Sequence, residues 1–289
     1  MQILLNGLIS GIAIAMMGLA FTVVYLPTRV FYVAIAGGFA AAPFLVLALM
    51  GAGWPVTLAL ICAAAAVAAF SLATEISLHS RLEARGASPA VHLMASLGLY
   101  IIVIQLLSLT WGSDAKALRV GRSRMVEIGT VTLSSGQLAI AVGGAVALAA
   151  FFGWLNRSRA GLTLRALADN PDTLALLGYN TSRLRRVAFG LSGAMAGISA
   201  LLVASDTGFS AHGGLPALLF GVVAAVLGGR HSFVGPLLGG LLLGIVRTGA
   251  GWTVSARWQD AVVFALLAAF LLLRPEGITG RRLRADAAY

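Results

Sequence analysis

The sequence predicts an all-α, polytopic membrane helix bundle of about nine transmembrane spans, with eight to ten as the working range. Three observations carry that prediction. The 289 residues are 59% hydrophobic and only 10% charged, with a mean hydropathy of +0.94. Soluble domains hold about 25% charged residues, so this chain lacks the charge to clothe a soluble fold. Its apolar runs reach the roughly 20 residues that cross the hydrocarbon of a bilayer, without the alternation of a membrane β-barrel. Finally, many of its 35 glycines fall at small-xxx-small spacing, as at Gly7 and Gly11, Gly193 and Gly197, Gly235 and Gly239, and Gly240 and Gly244. Such ridges let helices approach closely in lipid. The hydrophobicity excludes disorder, and a single cysteine, Cys62, excludes a disulfide scaffold.

The whole chain, 1–289, reads as a single transmembrane domain. Its candidate spans are 3–25, 30–50, 54–73, 89–110, 136–155, 187–204, 215–227, 233–252 and 261–273. The start, Met1-Gln2-Ile3-Leu4, has no basic n-region and reads as a retained first span. Two stretches, 34–43 and 205–216, are rich in Gly and Ala or in polar residues. Either is a candidate for a broken or re-entrant helix, which a membrane tolerates where protein or a cavity covers the backbone. The polar connection 111–135 contains an alternating stretch, 125–133, that predicts a short hairpin or capping strand.

Charge asymmetry orients the bundle. The connection 156–186 carries Arg157, Arg159, Arg165, Arg183, Arg185 and Arg186, and the tail carries Arg274, Arg281, Arg282 and Arg284. An even number of spans separates the two, so they share a side, and Arg29, Arg81, Arg85 and Arg230 join them there. The smaller set, Lys116, Arg119, Arg122, Arg124, Arg247 and Arg257, faces the other way. The positive-inside rule makes the richer side cytoplasmic, with the N-terminus outside and the C-terminus inside. The net charge of +10 then reflects topology and contact with anionic membrane lipid. No separate basic domain offers a surface for nucleic acid.

Several chemistries lack their residues. Lys116 is the only lysine and stands in no Walker sequence, so ATP binding by that route is excluded. His79, His92, His212 and His231 show no paired-ligand spacing, so no metal site is expected. No nucleophile elbow is present; catalytic residues and cofactors are therefore expected to be none. The ionisable residues in or near spans are Glu75, His92, Asp206, Arg247 and Asp260. All sit close to predicted span ends, where snorkelling to the interface relieves the cost of charge. None offers the midplane carboxylate or histidine that ion-coupled carriers use.

The connection 156–186 is the most informative segment. Asn170 suits an N-cap, Pro171 the first helical position, Asp172 the positive helix end, and Gly178 a left-handed closing residue. The predicted helix is about seven residues long and carries Leu174, Ala175, Leu176 and Leu177. So short a helix is marginal alone in water, and its leucines need a surface. That surface is either a groove on a cytoplasmic partner, or the membrane face and the bundle itself.

The same segment resembles the cytoplasmic coupling loop of ABC importer permeases, and is most similar to the branched-chain amino-acid (Liv-type) group. Gly161, Arg165, Ala166, Ala168 and Asp169, followed by Ala175, Leu176, Leu177 and Gly178, fit its pattern. The turn Gly228-Gly229-Arg230-His231-Ser232-Phe233-Val234-Gly235-Pro236-Leu237-Leu238-Gly239-Gly240 resembles the family's glycine-rich turn. The ending Arg274-Pro275-Glu276-Gly277-Ile278-Thr279-Gly280 and the opening Asn6-Gly7-Leu8-Ile9-Ser10-Gly11 also resemble family segments. After the first span, however, Val30-Phe31-Tyr32-Val33-Ala34 replaces the family's Asn- and His-containing segment.

The resemblance implies a permease domain with a cytoplasmic coupling loop at 156–186, in a bacterial inner membrane. It implies two ATP-binding-cassette ATPase subunits, a homologous second permease or a second copy, and an extracytoplasmic solute-binding protein as partners. The ATPase contact would comprise Asp169, Asn170, Pro171, Asp172, Leu176, Leu177, Gly178 and Tyr179, with Gly161, Arg165 and Ala166 leading into it. The solute would be a branched-chain amino acid or another small polar molecule. Polar and aromatic residues available for its pathway are Thr22, Tyr25, Tyr32, Ser96, Tyr100 and Gln105. None is a buried charge, so a low-affinity passage is expected. The competing class is a secondary carrier or channel working without ATPases, which would have no need of a docking helix.

Overall fold

A computed structural model describes residues 2–118, 125–128, 131–229, 232–253, 258–274 and 277–279. Its helices are α1 (Gln2–Thr28), α2 (Ala34–Gly51), α3 (Val56–Ala84), α4 (Pro89–Trp111), α5 (Ser135–Arg157), α6 (Arg159–Asp169), α7 (Pro171–Leu176), α8 (Thr181–Thr207), α9 (Ala211–Gly228), α10 (Gly235–Thr253) and α11 (Gln259–Leu273). Among the described residues, seven helices are long and apolar enough to cross a membrane. The helices α10 and α11 occupy the two remaining predicted spans, which agrees with about nine. Between α4 and α5, β1 (Met125–Ile128) and β2 (Val131–Ser134) pair antiparallel with Val126 opposite Leu133. This is the hairpin that the alternating stretch predicts.

Helix α1 is the axis of the bundle and is buried along most of its length. It packs against α8, α9 and α10. The predicted glycine ridges form the seams. A Cβ on Gly7 would lie 2.8 Å from the Ile245 Cα, and one on Gly11 would lie 2.9 Å from the Leu241 Cα. On the facing side, Gly244 meets Gly7 and Gly11, and Gly240 meets Ala15. In lipid the apolar surface gains nothing by leaving solvent, so backbone-to-backbone contact and interhelical hydrogen bonds hold the helices. Ser192 and Ser199 of α8 supply such bonds, donating to the Ala20 and Ala13 carbonyls of α1 at 2.6 and 3.1 Å. By contrast α3, α4 and α5 turn large apolar faces outward, including Ile61, Met94, Ile101, Leu109 and Val146.

The break near the second span differs from expectation. The stretch 34–43 is unbroken helix, with Pro43 inside α2. The interruption precedes it, between Thr28 and Ala34, where Arg29 takes a left-handed φ of 56°. Side chains satisfy the freed backbone there: Thr28 Oγ1 accepts from the Val30 N–H at 3.2 Å, and Ser96 Oγ from the Ala34 N–H at 2.8 Å. Proline in a buried helix is tolerated in membranes because neighbours re-satisfy the backbone. The stretch 205–216 does break, at Gly208, and resumes as a 3₁₀ turn over Ala211–Gly213. Helix α3 also runs past the predicted end at 73, through a π-turn at Glu75–His79.

The alternation of spans gives the molecule two ends. The N-terminus, the hairpin and the α8–α9 break share one, hereafter the hairpin end. Helices α6 and α7, the α9–α10 turn and the last described residues share the other, the loop end. Several residues named from the sequence lie outside the described residues: Arg119, Arg122, Arg124, Gly129, Thr130, Arg230, His231, Arg257, Pro275, Glu276, Gly280, Arg281, Arg282 and Arg284.

Candidate functional site

At the loop end, the connection between α5 and α8 is built as two helices rather than one. The first, α6, is not anticipated by the helix punctuation of the sequence. Ser158 caps it, its Oγ accepting from the Gly161 N–H at 2.9 Å. Gly161 lies against the Leu155 backbone, so α6 folds tightly back on α5. Its Leu164 and Leu167 are buried, and the helix packs on α1 and α8. Arg165 is half-buried, and Ala166 and Asp169 are exposed.

The second helix, α7, follows the predicted punctuation closely. Asn170 Oδ1 accepts from the Thr173 N–H at 3.0 Å, and Pro171 is the first helical residue. Gly178 closes the helix with φ +82°. The Tyr179 N–H donates to the Leu174 carbonyl at 3.3 Å and the Gly178 N–H to the Ala175 carbonyl at 3.0 Å. Together they form a complete Schellman motif. The leucines divide between two environments. Leu174 is buried against the protein, whereas Leu176 is 89% exposed and Leu177 69%, with Tyr179 half exposed beside them. An anchored helix thus presents a small apolar face outward from rigid supports.

The α9–α10 turn and the chain's ending join into one knot at the same end. Gly229 takes φ +113°, Ser232 Oγ accepts from the Val234 N–H at 3.1 Å, and Gly235 and Pro236 begin α10. Gly235 sits against Gly228, and Gly239 against Ala224. The Ile278 and Thr279 N–H groups donate to the Leu227 and Gly228 carbonyls, both at 2.9 Å. The two motifs that the sequence shows separately are therefore halves of one clasp.

At the hairpin end a cavity of about 550 Å³ opens between α1, α2, α5, α8, α9 and α10. That volume falls within the roughly 300–1,000 Å³ of small-molecule sites. Its wall is mostly apolar, with Met17, Phe39, Ala40 and Phe220. Polar groups enter from Asn6, Ser10, Gln137, Ser199, Asp206, Arg247 and Thr248. Ser134 Oγ lies 3.0 Å from Asp206 Oδ1, tying the hairpin to the end of α8. Arg247 stands over the Phe220 ring, 4.7 Å from its centroid, with its Nε 3.4 Å from Asp260 Oδ1. Asn6 Oδ1 is buried with no protein partner among the described residues.

The six residues named for a pathway lie elsewhere, and none lines this cavity. Thr22 is buried and donates to the Gly18 carbonyl at 2.8 Å, and Tyr25 stacks on Phe21. Tyr32 and Ser96 flank the α1–α2 break, Tyr100 is buried, and Gln105 is exposed. The ionisable residues divide as well. Asp206 and Arg247 reach the cavity, whereas Glu75 and His92 are buried rather than snorkelling. Arg185, read from the sequence only as a topological charge, reaches Glu75, its Nε 2.9 Å from Oε1. This pairing removes the need for Glu75 to reach water.

The architecture defines a class: a multi-span membrane protein with a cavity of about 550 Å³ at one end and a short, capped, partly exposed helix at the other. The family described as "Branched-chain amino acid transport system / permease component" matches residues 3–271, and the chain belongs to it. It is 32% identical over 206 residues to the high-affinity branched-chain amino acid transport system permease protein LivH of Escherichia coli K12. It is likewise 32% identical over 209 residues to the corresponding protein BraD of Pseudomonas aeruginosa. Each match covers 68% of this chain and 66% of the relative. A chain of PsaBC from Streptococcus pneumoniae, solved in complex with Fab, shares the fold at a TM-score of 0.52 and 13% identity. That superposition covers 94% of this chain and 91% of the other.

Proposed function

We propose that this chain is the membrane-spanning subunit of an ATP-binding-cassette importer and moves branched-chain amino acids or a related small polar solute. The observation that carries the reading is the α7 face: Leu176 and Leu177 stand in solvent on a helix capped at both ends and braced by α6. An isolated six-residue helix does not hold itself together, so so much local fixing of an exposed apolar pair fits a docking contact. Two ATPase subunits would engage it, one on this chain and one on a homologous permease or a second copy. Residues Asp169 to Tyr179 would form the contact, with Gly161, Arg165 and Ala166 setting its approach. The energy would come from those partners, since the one lysine of this chain forms no phosphate-binding loop.

In this reading the loop end faces the cytoplasm and the N-terminus lies outside the inner membrane. The cavity then opens outward, where an extracytoplasmic solute-binding protein would deliver its cargo. An apolar wall suits an aliphatic side chain, and Asp206 and Arg247 in the lining suit the charged groups of an amino acid. The turn formed by Gly228, Gly229, Ser232, Gly235, Pro236, Gly239 and Gly240 would keep α9 and α10 in register while the bundle moves.

Reconstitution with the ATPases and the binding protein in proteoliposomes tests this. ATP-driven uptake of labelled leucine, isoleucine or valine is expected. Leu176→Asp should cut ATPase co-purification and uptake by about tenfold or more, a loss of roughly 1.4 kcal/mol of contact. Co-purification of Leu176→Asp at wild-type yield would remove the docking assignment.

A further inference from the structure

A chain of polar groups, buried except at Glu83, links the docking end of α8 to α3, α4 and the α1–α2 break. It begins at Arg185, five residues past Asn180, whose Oδ1 caps α8 by accepting from the Arg183 N–H at 2.9 Å. Only Leu177 to Asn180 separate α7 from α8, so a push on α7 is delivered to Arg185 within little more than one helical turn. The Arg185 guanidinium serves two carboxylates of α3. Its Nε lies 2.9 Å from Glu75 Oε1, and its Nη1 lies 2.7 Å from Glu83 Oε2. Glu83 in turn lies 3.8 Å from His92 Nε2, and the Nδ1 atoms of His92 and His79 are 3.0 Å apart. His79 packs edge-on to Tyr32 in the α1–α2 break, and the Tyr32 hydroxyl donates to Ser71 Oγ at 3.2 Å.

Four features of this cluster fit a moving part better than a fixed brace. A buried ion pair is a poor source of stability, because desolvation of the two charges offsets their attraction. The Glu75 contact is single rather than forked: Glu75 Oε2 and Arg185 Nη2 both stay buried without a protein hydrogen bond among the described residues. A forked pair would lock one geometry; a single bond leaves one donor and one acceptor for a second arrangement. The two carboxylates also differ in setting, Glu75 being buried and Glu83 54% exposed at its side chain. Between them α3 winds through the π-turn at Glu75–His79, a local irregularity that is frequent at functional positions.

We propose that Arg185 is a positioning residue for transport, a latch that shares its charge between Glu75 and Glu83. Displacement of α7 shifts the balance of that sharing and so moves α8 along α3. The His79–Tyr32 contact carries the shift to the α1–α2 break and thence to the cavity helices α1 and α2. The proposal rests on the reading of α7 as the ATPase contact.

The test has two arms. Spin labels at Ser77→Cys of α3 and Ser182→Cys of α8, in a Cys62→Ala background, report the α3–α8 separation in the purified chain alone. Glu83→Gln alters only the solvent-facing carboxylate, so it leaves the fold intact. It is expected to shift the distance distribution, while Arg185→Lys retains the wild-type one. An unchanged distribution in Glu83→Gln overturns the latch. In the assembled complex, Glu83→Gln should lower solute taken up per ATP hydrolysed by about tenfold, with ATPase subunits still bound. A fixed structural pair would leave that ratio at the wild-type value, and that result also overturns the latch. Failure of the docking reading would show differently, as absence of ATPase from wild type and variant alike, with the label distances of the isolated chain still answering for the latch.

Discussion

Asn170 and Gly178 set the length of α7, and each does so by a separate local interaction. The Asn170 side chain satisfies one of the orphan N–H groups at the helix start, and its loss is worth about 1 kcal/mol. Gly178 occupies a left-handed backbone that a β-branched residue would enter at a cost of about 1 to 2 kcal/mol. A Cβ there would meet open space, so the cost is conformational rather than a clash. Gly178→Val should therefore raise amide exchange across 171–179 by about fivefold or more, while exchange in α1 and α10 stays unchanged. Uniform loss of protection through the bundle would show that this cap supports more than α7. Both residues are legible in the sequence because capping is local chemistry: the donor, the acceptor and the left-handed residue lie within one helical turn. The burial of Leu174 beside the exposure of Leu176 is not legible, since it depends on where α7 lands.

The seam between α1 and α10 shows what small residues accomplish at the scale of elements. Gly7 and Gly11 face Gly240 and Gly244 across a contact too close for any side chain. Gly11→Val would force a Cβ against the Leu241 backbone, and overpacking of this kind costs about 1–3 kcal/mol. Gly249→Ala, on the facing helix α10, is the control, because a Cβ there meets nothing. In detergent, thermal unfolding of Gly11→Val should begin several degrees below wild type, with Gly249→Ala at or slightly above it. Equal melting of the two variants would mean that the seam is not close-packed. The spacing of the glycines announces that ridges exist; it does not say which ridge meets which. That pairing is settled when α1 takes the centre and three helices compete for its faces. Similarly, the interruption near the second span falls at Arg29 and not among the Gly-Ala residues that follow, because Ser96 of α4 caps Ala34 from outside the segment.

For the whole molecule, the proposed orientation makes a simple demand. Ser113, beside the hairpin end, and Ser182, at the loop end, are both exposed and stand at opposite ends of the bundle. With Cys62→Ala as background, Ser113→Cys should react with an impermeant thiol reagent on cells whose outer membrane is permeabilised, and Ser182→Cys only after lysis. The reverse pattern would invert the topology and turn the cavity toward the cytoplasm. The arginine distribution is the ground for this proposed orientation, because charge bias acts on each loop during insertion, before any tertiary contact exists.

What the amino-acid order determined by itself is what can be read within a window of some twenty residues: the apolar spans, the hairpin, the caps of α7, the glycine ridges and the bias of charge. These depend on transfer of a segment into lipid and on hydrogen bonds between near neighbours. The tertiary structure alone decided which distant residues meet. Arg185 reaches Glu75 across 110 positions, and Gly11 and Gly240 come together from opposite ends of the chain. The cavity draws Asn6, Gln137, Asp206 and Thr248 from four separate helices, and no local pattern shows that they meet. Six polar and aromatic residues that looked available along the spans lie off that cavity, because a polar side chain in a membrane helix is directed by whichever partner satisfies it. For Ser96 and Thr22 that partner is a backbone group, and for Glu75 it is a guanidinium, which no local pattern names.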